Sequence, residues 1–211
     1  MPNTPVTISA AVEGAADEAV ARRLIAHVGA QPGPVYGKNG KAQLRERIAA
    51  YNNAARHAPW IVLVDLDSDA ECAPPLRTAW VPVPARRLCF RVAVRAVESW
   101  LLADAEAIAD FLGVARRRIP VDPERLEGPK ESLVNIARKS RRRAIREDMV
   151  PRAESGRPVG PAYASRLVEF ASSLWHPDRA ARQADSLRRA IECLTSLTRP
   201  QQIDSSARNR R

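Results

Sequence analysis

An apolar run that ends in acidic residues constrains the fold of this chain most. Residues 60–64 read Trp-Ile-Val-Leu-Val, and Asp65, Asp67 and Asp69 follow at alternating positions. A β-branched apolar run of this length predicts a strand that is buried on both faces, as in a parallel sheet. Ligands bind at the carboxyl ends of such strands, and alternate side chains of an extended chain point the same way. The run therefore predicts an α/β fold in which Asp65 and Asp67 converge.

Two convergent carboxylates predict a cation site. Their negative charges repel each other unless a proton or a cation lies between them. Carboxylate oxygens suit hard ions such as Mg²⁺ or Mn²⁺, so Asp65 and Asp67 are candidate metal ligands. The alternative is that these acids only cap the next helix or form an Asx turn.

A third acid follows another predicted strand. Residues 6–12 form a β-branched run that ends at Glu13 and Gly14, and a helix is expected from about Ala15 to Val28. Gly14 permits a tight turn between the two elements. Because parallel strands end at the same edge of a sheet, Glu13 is expected beside the two aspartates. Acids at the ends of two different strands indicate a cation site more strongly than the pair of Asp65 and Asp67 alone.

Glu98 follows the next predicted strand, which covers residues 88–94. It lies in a helix start that is otherwise apolar, and a carboxylate in such surroundings needs a cation or hydrogen bonds. Two interpretations stay open. Glu98 completes the metal site, or it pairs with a nearby arginine such as Arg91 or Arg95.

The charge of the chain favours a polyanionic partner. The 211 residues carry a formal net charge of +10, and the sequence pI is about 10.5. Such a balance favours nucleic acid first and an anionic membrane second. Most of the cations are arginines, which bind phosphate through two parallel hydrogen bonds. A GC-rich genome, which enriches Arg, Ala and Pro together, is the alternative explanation.

Several classes are disfavoured by what the sequence lacks. Cys72, Cys89 and Cys193 are scattered without CxxC spacing, which argues against a disulfide framework or a zinc site. The chain has no apolar run of about 18 residues, so no membrane span is expected. The first residues lack the pattern of a signal peptide, and a cytoplasmic location is expected.

A dense run of basic residues lies in the second half of the chain. Residues 130–147 predict one helix with an apolar face and an opposite basic face. Such a run is usually a solvated face, but beside a candidate metal site we favour a surface that binds phosphates. The predicted nucleic-acid contacts are Lys130, Arg138, Lys139, Arg141, Arg142 and Arg143.

The composition divides the chain into three parts. Residues 1–113 are expected to form the α/β core, and residues 114–198 a helical extension that packs on it. Residues 199–211 are polar and basic, which is typical of a flexible tail.

Four stretches carry a resemblance to known families. Glu13-Gly14 and Asp65-Leu66-Asp67, each at a strand end, resemble the TOPRIM domain of topoisomerases, bacterial primases, small ribosomal-RNA maturases and OLD-family nucleases. Val94–Asp104, with the sequence VRAVESWLLAD, and Gly128–Glu131 are similar to a TOPRIM-like family whose function is unknown. Ala16-Asp17 departs from this pattern, because relatives are expected to carry Ser or Thr followed by Glu.

The resemblance implies a Rossmann-like parallel sheet flanked by helices. It also implies that Glu13 acts as a general acid or base and that Asp65 and Asp67 hold Mg²⁺. We expect Glu13 to contribute to the metal site as well, and Glu98 to be an additional catalytic ligand. Asp69 and Lys130 are weaker candidates.

The expected function is metal-dependent hydrolysis of phosphodiester bonds in DNA or RNA, as in phage defence or mobile elements. A partner ATPase or a homo-oligomer would suit such an enzyme. The alternatives are a TOPRIM-like module that binds nucleic acid or protein without catalysis, and phosphoryl or nucleotidyl transfer to a small nucleotide.

Overall fold

A computed structural model describes residues 5–199 of the chain. The strands are β1 (Thr7–Val12), β2 (Gln31–Gly37), β3 (Trp60–Asp65) and β4 (Leu88–Ala93). They form one all-parallel sheet in the order β2-β1-β3-β4. The chain leaves β1 toward one edge of the sheet and leaves β3 toward the other. The crevice between the ends of β1 and β3 is therefore a topological switch point, where α/β sheets bind ligands.

Eleven helices are found among the described residues. They are α1 (Ala15–His27), α2 (Lys41–Glu46), α3 (Ile48–Ala54), α4 (Ala73–Trp80), α5 (Val97–Ala103), α6 (Ala105–Leu112), α7 (Pro129–Ala137), α8 (Arg143–Met149), α9 (Tyr163–Ser173), α10 (Pro177–Ala180) and α11 (Asp185–Thr198).

Both faces of the sheet are covered by helices. Alternate strand residues such as Ile8, Ile61 and Leu63 pack with α1, α5 and the C-terminal helices in one core. Their neighbours along the strands, such as Val62 and Val64, pack with α2, α3 and α4 in a second core. The predicted α/β fold, with a parallel sheet, flanking helices and further C-terminal helices, is thus confirmed.

The basic run does not form the single helix that its periodicity predicts. Helix α7 ends at Ala137, and α8 begins only at Arg143. Between them, the Ser140 hydroxyl donates to the Leu112 carbonyl and accepts the Arg142 backbone N–H at 2.9 Å. A serine that bonds to nearby backbone groups offers the chain an alternative to helix. The prediction of one helix over 130–147 is therefore wrong, and residues 138–142 form a turn fastened to the end of α6.

The C-terminal helices share a core with the sheet. Leu167 and Phe170 of α9, and Leu187 and Leu194 of α11, are fully buried in the same cluster as β1. In residues 5–199, no helix is long and apolar enough to cross a membrane. The predicted tail, apart from Arg199, lies outside the described residues.

Candidate functional site

Glu13 and Asp65 meet at the switch point of the sheet. Glu13 follows β1, and its Oε1 accepts the backbone N–H of Asp65 at 2.8 Å. Asp65 ends β3, and its Oδ1 accepts the backbone N–H of Val97 at 2.9 Å. Val97 is the first residue of α5, so these two carboxylates connect β1, β3 and the start of α5. The structure thus places together two acids that are 52 positions apart in the sequence.

Glu98 lies buried in the first turn of α5, with only 3% of the residue exposed. Its Oε1 accepts the Tyr163 hydroxyl at 3.1 Å and lies 3.9 Å from Lys130 Nζ. Its Oε2 is buried without a hydrogen-bond partner in the described part of the chain. Glu98 thus has a free buried oxygen that water does not reach.

Within residues 5–199, Glu98 pairs with neither of the predicted arginines, Arg91 and Arg95. Arg95 instead donates to the backbone carbonyls of Asp67 and Ala70, both at 3.1 Å. Arg91 lies beside the thiols of Cys89 and Cys193. The partners of Glu98 are Tyr163 and Lys130, where the sequence predicted an arginine.

Asp17 is a fourth acid of this region. It lies in the first turn of α1, one turn after Glu13, and is 8% exposed. Burial, followed by the negative charge of Glu98, raises the pKa of Asp17 to about 6. We call Glu13, Asp17, Asp65 and Glu98 the acid pocket.

Glu13 and Asp65, like Asp17, have pKa values raised above those of ordinary carboxylates. Burial raises the pKa of Glu13 to about 7, although the Asp65 N–H and the Lys41 ammonium oppose this rise. Burial also raises the pKa of Asp65 well above its usual range, and the charges of Asp17, Glu98 and Glu13 add to the effect. Since one cause is loss of water and the other is mutual repulsion, a cation between these groups would relieve both.

Asp67 forms an ion pair with a lysine, although its charge still acts on Glu13 and Asp65. Lys41 Nζ lies 2.9 Å from Asp67 Oδ2 and 2.8 Å from Asp69 Oδ2, and it donates to the Asp65 carbonyl at 2.6 Å. Asp67 adopts a φ of 49°, a left-handed conformation that Asp tolerates better than most residues. The second acid of the DxD motif therefore contacts an internal ammonium group.

The donors of the acid pocket suit a hard cation in their chemistry. Glu13, Asp65 and Glu98 each use one oxygen for a hydrogen bond within residues 5–199, and no bond is found there to the other oxygen. Oxygens of this kind are the ligands that Mg²⁺ takes. In the same range, however, no three Asp, Glu, His or Cys side chains are gathered closely enough to hold a metal ion. The residue types fit the ion, and binding would require these side chains to close around it.

The predicted nucleic-acid contacts fall into two places. Lys130 lies beside Glu98 at the start of α7, whereas the others lie at and after its far end. Arg138, Lys139 and Arg141 are exposed in the turn. Arg142 donates to the Phe111 carbonyl at 3.3 Å, and Arg143 pairs with Glu147 at 2.7 Å.

Three residues of this region, Asp17, Lys41 and Tyr163, were not predicted from the sequence to belong to the site. Asp17 had a signal, because it lies on the same helical stripe as Val20 and Leu24, where an acid is unexpected. The sequence indicates Lys41 more weakly, because it is a lysine that follows a glycine-containing loop. No sequence pattern indicates Tyr163, because 65 positions separate it from Glu98.

Comparison with protein-family models, with curated proteins and with solved structures finds no match to this chain. The function must therefore be inferred from the site itself.

Proposed function

We propose that this chain is a TOPRIM-like hydrolase that cleaves phosphodiester bonds in nucleic acid with Mg²⁺ or Mn²⁺. The observation that carries the proposal is the acid pocket at the switch point of a parallel sheet. Asp17 and Glu98 are buried, Glu13 and Asp65 are half-buried, and their charges repel one another. Glu98 also has a buried oxygen without a hydrogen bond in residues 5–199, and such an arrangement is costly unless a cation or protons compensate. Such strain persists where function requires it.

Each acid has a part in this proposal. Asp65 and Glu13 would hold the ion, with Asp17 and Glu98 as further oxygen donors. A bound Mg²⁺ would stabilise the charge that develops on the phosphate and lower the pKa of a bound water. Glu13, with a pKa of about 7, is suited to accept or donate a proton near neutral pH.

The basic residues would hold the substrate by its backbone. Lys130 lies next to the acid pocket, and the basic turn of residues 138–142 follows at the other end of α7. A helix of nine residues spans about 13 Å, so a nucleic-acid strand along α7 would contact both. Arg138, Lys139 and Arg141 are the best phosphate contacts, because Arg142 and Arg143 are already engaged within the chain.

A plasmid cleavage assay tests the catalytic proposal. Cleavage is expected with Mg²⁺ or Mn²⁺ and not with EDTA, and Asp65→Asn or Glu13→Gln should reduce the rate at least about 100-fold. Glu18→Gln is the matched control, since Glu18 lies on α1 but pairs with Arg22 and Lys38 outside the acid pocket. Cleavage that persists in EDTA, or in both acid variants, would contradict the proposal.

A second experiment tests the basic turn. Replacing Arg138, Lys139 and Arg141 together with Ala should weaken binding and lower the slope of log K against log salt by about 2 to 3, at roughly 0.9 per phosphate contact. The control replaces Arg47, Arg56 and Arg86, which are exposed elsewhere and remove the same charge. An equal effect of both triple variants would show that only net charge matters.

The alternative is a TOPRIM-like module that binds nucleic acid or protein without catalysis. It is favoured by one observation, which is that Glu13 and Asp65 already bond to backbone N–H groups and Asp67 to Lys41. In that case the acid variants would leave nucleic-acid binding unchanged, and no cleavage would be found with any metal ion.

A further inference from the structure

Lys41 is surrounded by oxygen atoms as a metal ion would be. Its ammonium group contacts one backbone carbonyl, of Asp65, and two carboxylates, of Asp67 and Asp69, at 2.6 to 2.9 Å. An ammonium group has three N–H donors, so these three oxygens satisfy it completely. One carbonyl and two carboxylates are also a typical partial donor set for Mg²⁺ or Ca²⁺.

The position of Lys41 is fixed by its backbone. The loop before it is fastened to the end of β1, because Lys38 N–H donates to the Val12 carbonyl at 2.8 Å and Gly40 N–H donates to the Glu13 carbonyl at 3.0 Å. Gly40 has a φ of 88°, which favours glycine, and Lys41 follows as the first residue of α2. The Lys41 side chain is only 19% exposed. Lys41 is thus held over the crevice between β1 and β3.

The acids near the switch point therefore form two groups with different counter-ions. Asp67 and Asp69, both about half exposed, have the Lys41 ammonium. In residues 5–199, the acid pocket has Lys130, whose Nζ is 3.9 Å from Glu98 Oε1, and the charge of Lys41, which acts on Glu13 without a hydrogen bond to it. It retains the buried free oxygen of Glu98. The cation position at Asp67 and Asp69 is thus occupied by Lys41, whereas the acid pocket has oxygens that are free to bind a cation.

We propose that Lys41 takes the place of one cation, so that this site binds a single divalent ion in the acid pocket. Asp67 and Asp69 are then positioning residues for Lys41 and not metal ligands. This differs from the sequence-based prediction, in which Asp67 of the DxD motif holds the metal ion. The inference rests on the proposed function, because it requires that the acid pocket binds a metal ion.

Mn²⁺ binding to the full chain, followed by electron paramagnetic resonance, tests the inference without any activity. The wild type should bind about one Mn²⁺ per chain, and Lys41→Met should bind a second one, since its removal frees three oxygens. Lys38→Met is the matched control, because Lys38 is in the same loop but pairs with Glu18 at 3.2 Å. It should still bind one ion. Two ions in the wild type, or one in Lys41→Met with unchanged affinity, would overturn the inference.

A second variant keeps the test valid if Lys41→Met does not fold. Asp67→Asn combined with Asp69→Asn should change the Mn²⁺ affinity less than about threefold, whereas Asp65→Asn should lower it at least about tenfold. An equal loss in both would make Asp67 or Asp69 a ligand and overturn the inference, while metal binding and the proposed hydrolysis would stand. No Mn²⁺ binding to the wild type would overturn both proposals.

Discussion

Two buried carboxylates at opposite ends of α5 have very different partners. Asp104, just after the helix, is 1% exposed and has a donor for each oxygen. Arg179 Nη2 donates to Oδ1 at 2.6 Å, and the backbone N–H and ring Nδ1 of His176 contact Oδ2 at 3.0 Å. Glu98, in the first turn, has the Tyr163 hydroxyl, a lysine at 3.9 Å and one free oxygen.

The difference separates a structural acid from an acid available to a ligand. Asp104 fastens the start of α10 to the end of α5, and its charge is compensated by an arginine within the fold. Glu98 lies among other acids, so its charge increases their repulsion. A buried charge costs free energy unless it is paired, and only Asp104 is paired well. Substitutions at the two positions should therefore act in opposite directions.

The largest effect is expected at Asp104. Asp104→Asn removes the negative partner of Arg179 and replaces one acceptor oxygen by an amide group that cannot accept. We expect the free energy of unfolding to fall by about 2 to 3 kcal/mol, because a buried acceptor is lost, whereas Arg179, whose side chain is 37% exposed, keeps part of its hydration. Urea denaturation measures this change.

Asp110→Asn is the control for that substitution, since Asp110 is exposed on α6. It should change the free energy of unfolding by less than about 0.5 kcal/mol. A loss below about 1 kcal/mol at Asp104 would mean that its ion pair is not structural, and the contrast with Glu98 would fail.

The parts of the fold that the sequence predicted are those with local signals. The runs that became β1, β3 and β4 are apolar and β-branched, and α1 has a clear apolar stripe with Gly29 after it. The breaks within predicted helices depend on distant partners. Ser140 turns the chain only because the Leu112 carbonyl, 28 residues away, accepts its hydroxyl.

The candidate site shows the same division. Glu13 and Asp65 were predicted to meet because parallel strands end at one edge of the sheet. The roles of Asp67 and Glu98 depend on which cation reaches them, and Lys41 and Tyr163 come from distant parts of the chain. Periodicity specifies which face a residue lies on, but it does not specify its partner across the fold. The metal roles of Glu13, Asp65, Asp67 and Glu98 stay predictions.

A second, smaller effect is expected in the pH dependence of stability. The pKa of Glu13 is raised from 4.5 to about 7 in the folded chain. The folded state then binds the proton more tightly than the unfolded state, so this contribution is present below pH 4.5 and is lost as the pH rises to 7. Asp17 acts in the same direction between pH 3.8 and about 6.

Glu13→Gln removes the titrating group and isolates its contribution. Between pH 4.5 and 7.5, the wild type should lose about 1 to 2 kcal/mol relative to this variant, which is less than roughly 1.4 kcal/mol per pKa unit gives, because solvent screens the partly exposed Glu13. Parallel pH curves for the wild type and Glu13→Gln, measured without divalent ions, would refute the raised pKa.

The smallest effect, and the sharpest test of the contrast, is expected at Glu98. In metal-free buffer at pH 8, Glu98→Gln should raise the free energy of unfolding by about 1 kcal/mol, because it removes a buried charge that repels Asp17 and still accepts the Tyr163 hydroxyl. At pH 5, where Asp17 is largely protonated, the part of the gain that comes from this repulsion should disappear. Mg²⁺ should stabilise the wild type more than the variant, since binding to the folded state alone adds RT ln(1 + [L]/Kd). Glu106→Gln on the exposed side of α6 is the control. If Glu98→Gln instead destabilises the chain as Asp104→Asn does, Glu98 is a structural acid. That result would contradict the proposal that the acid pocket binds a cation.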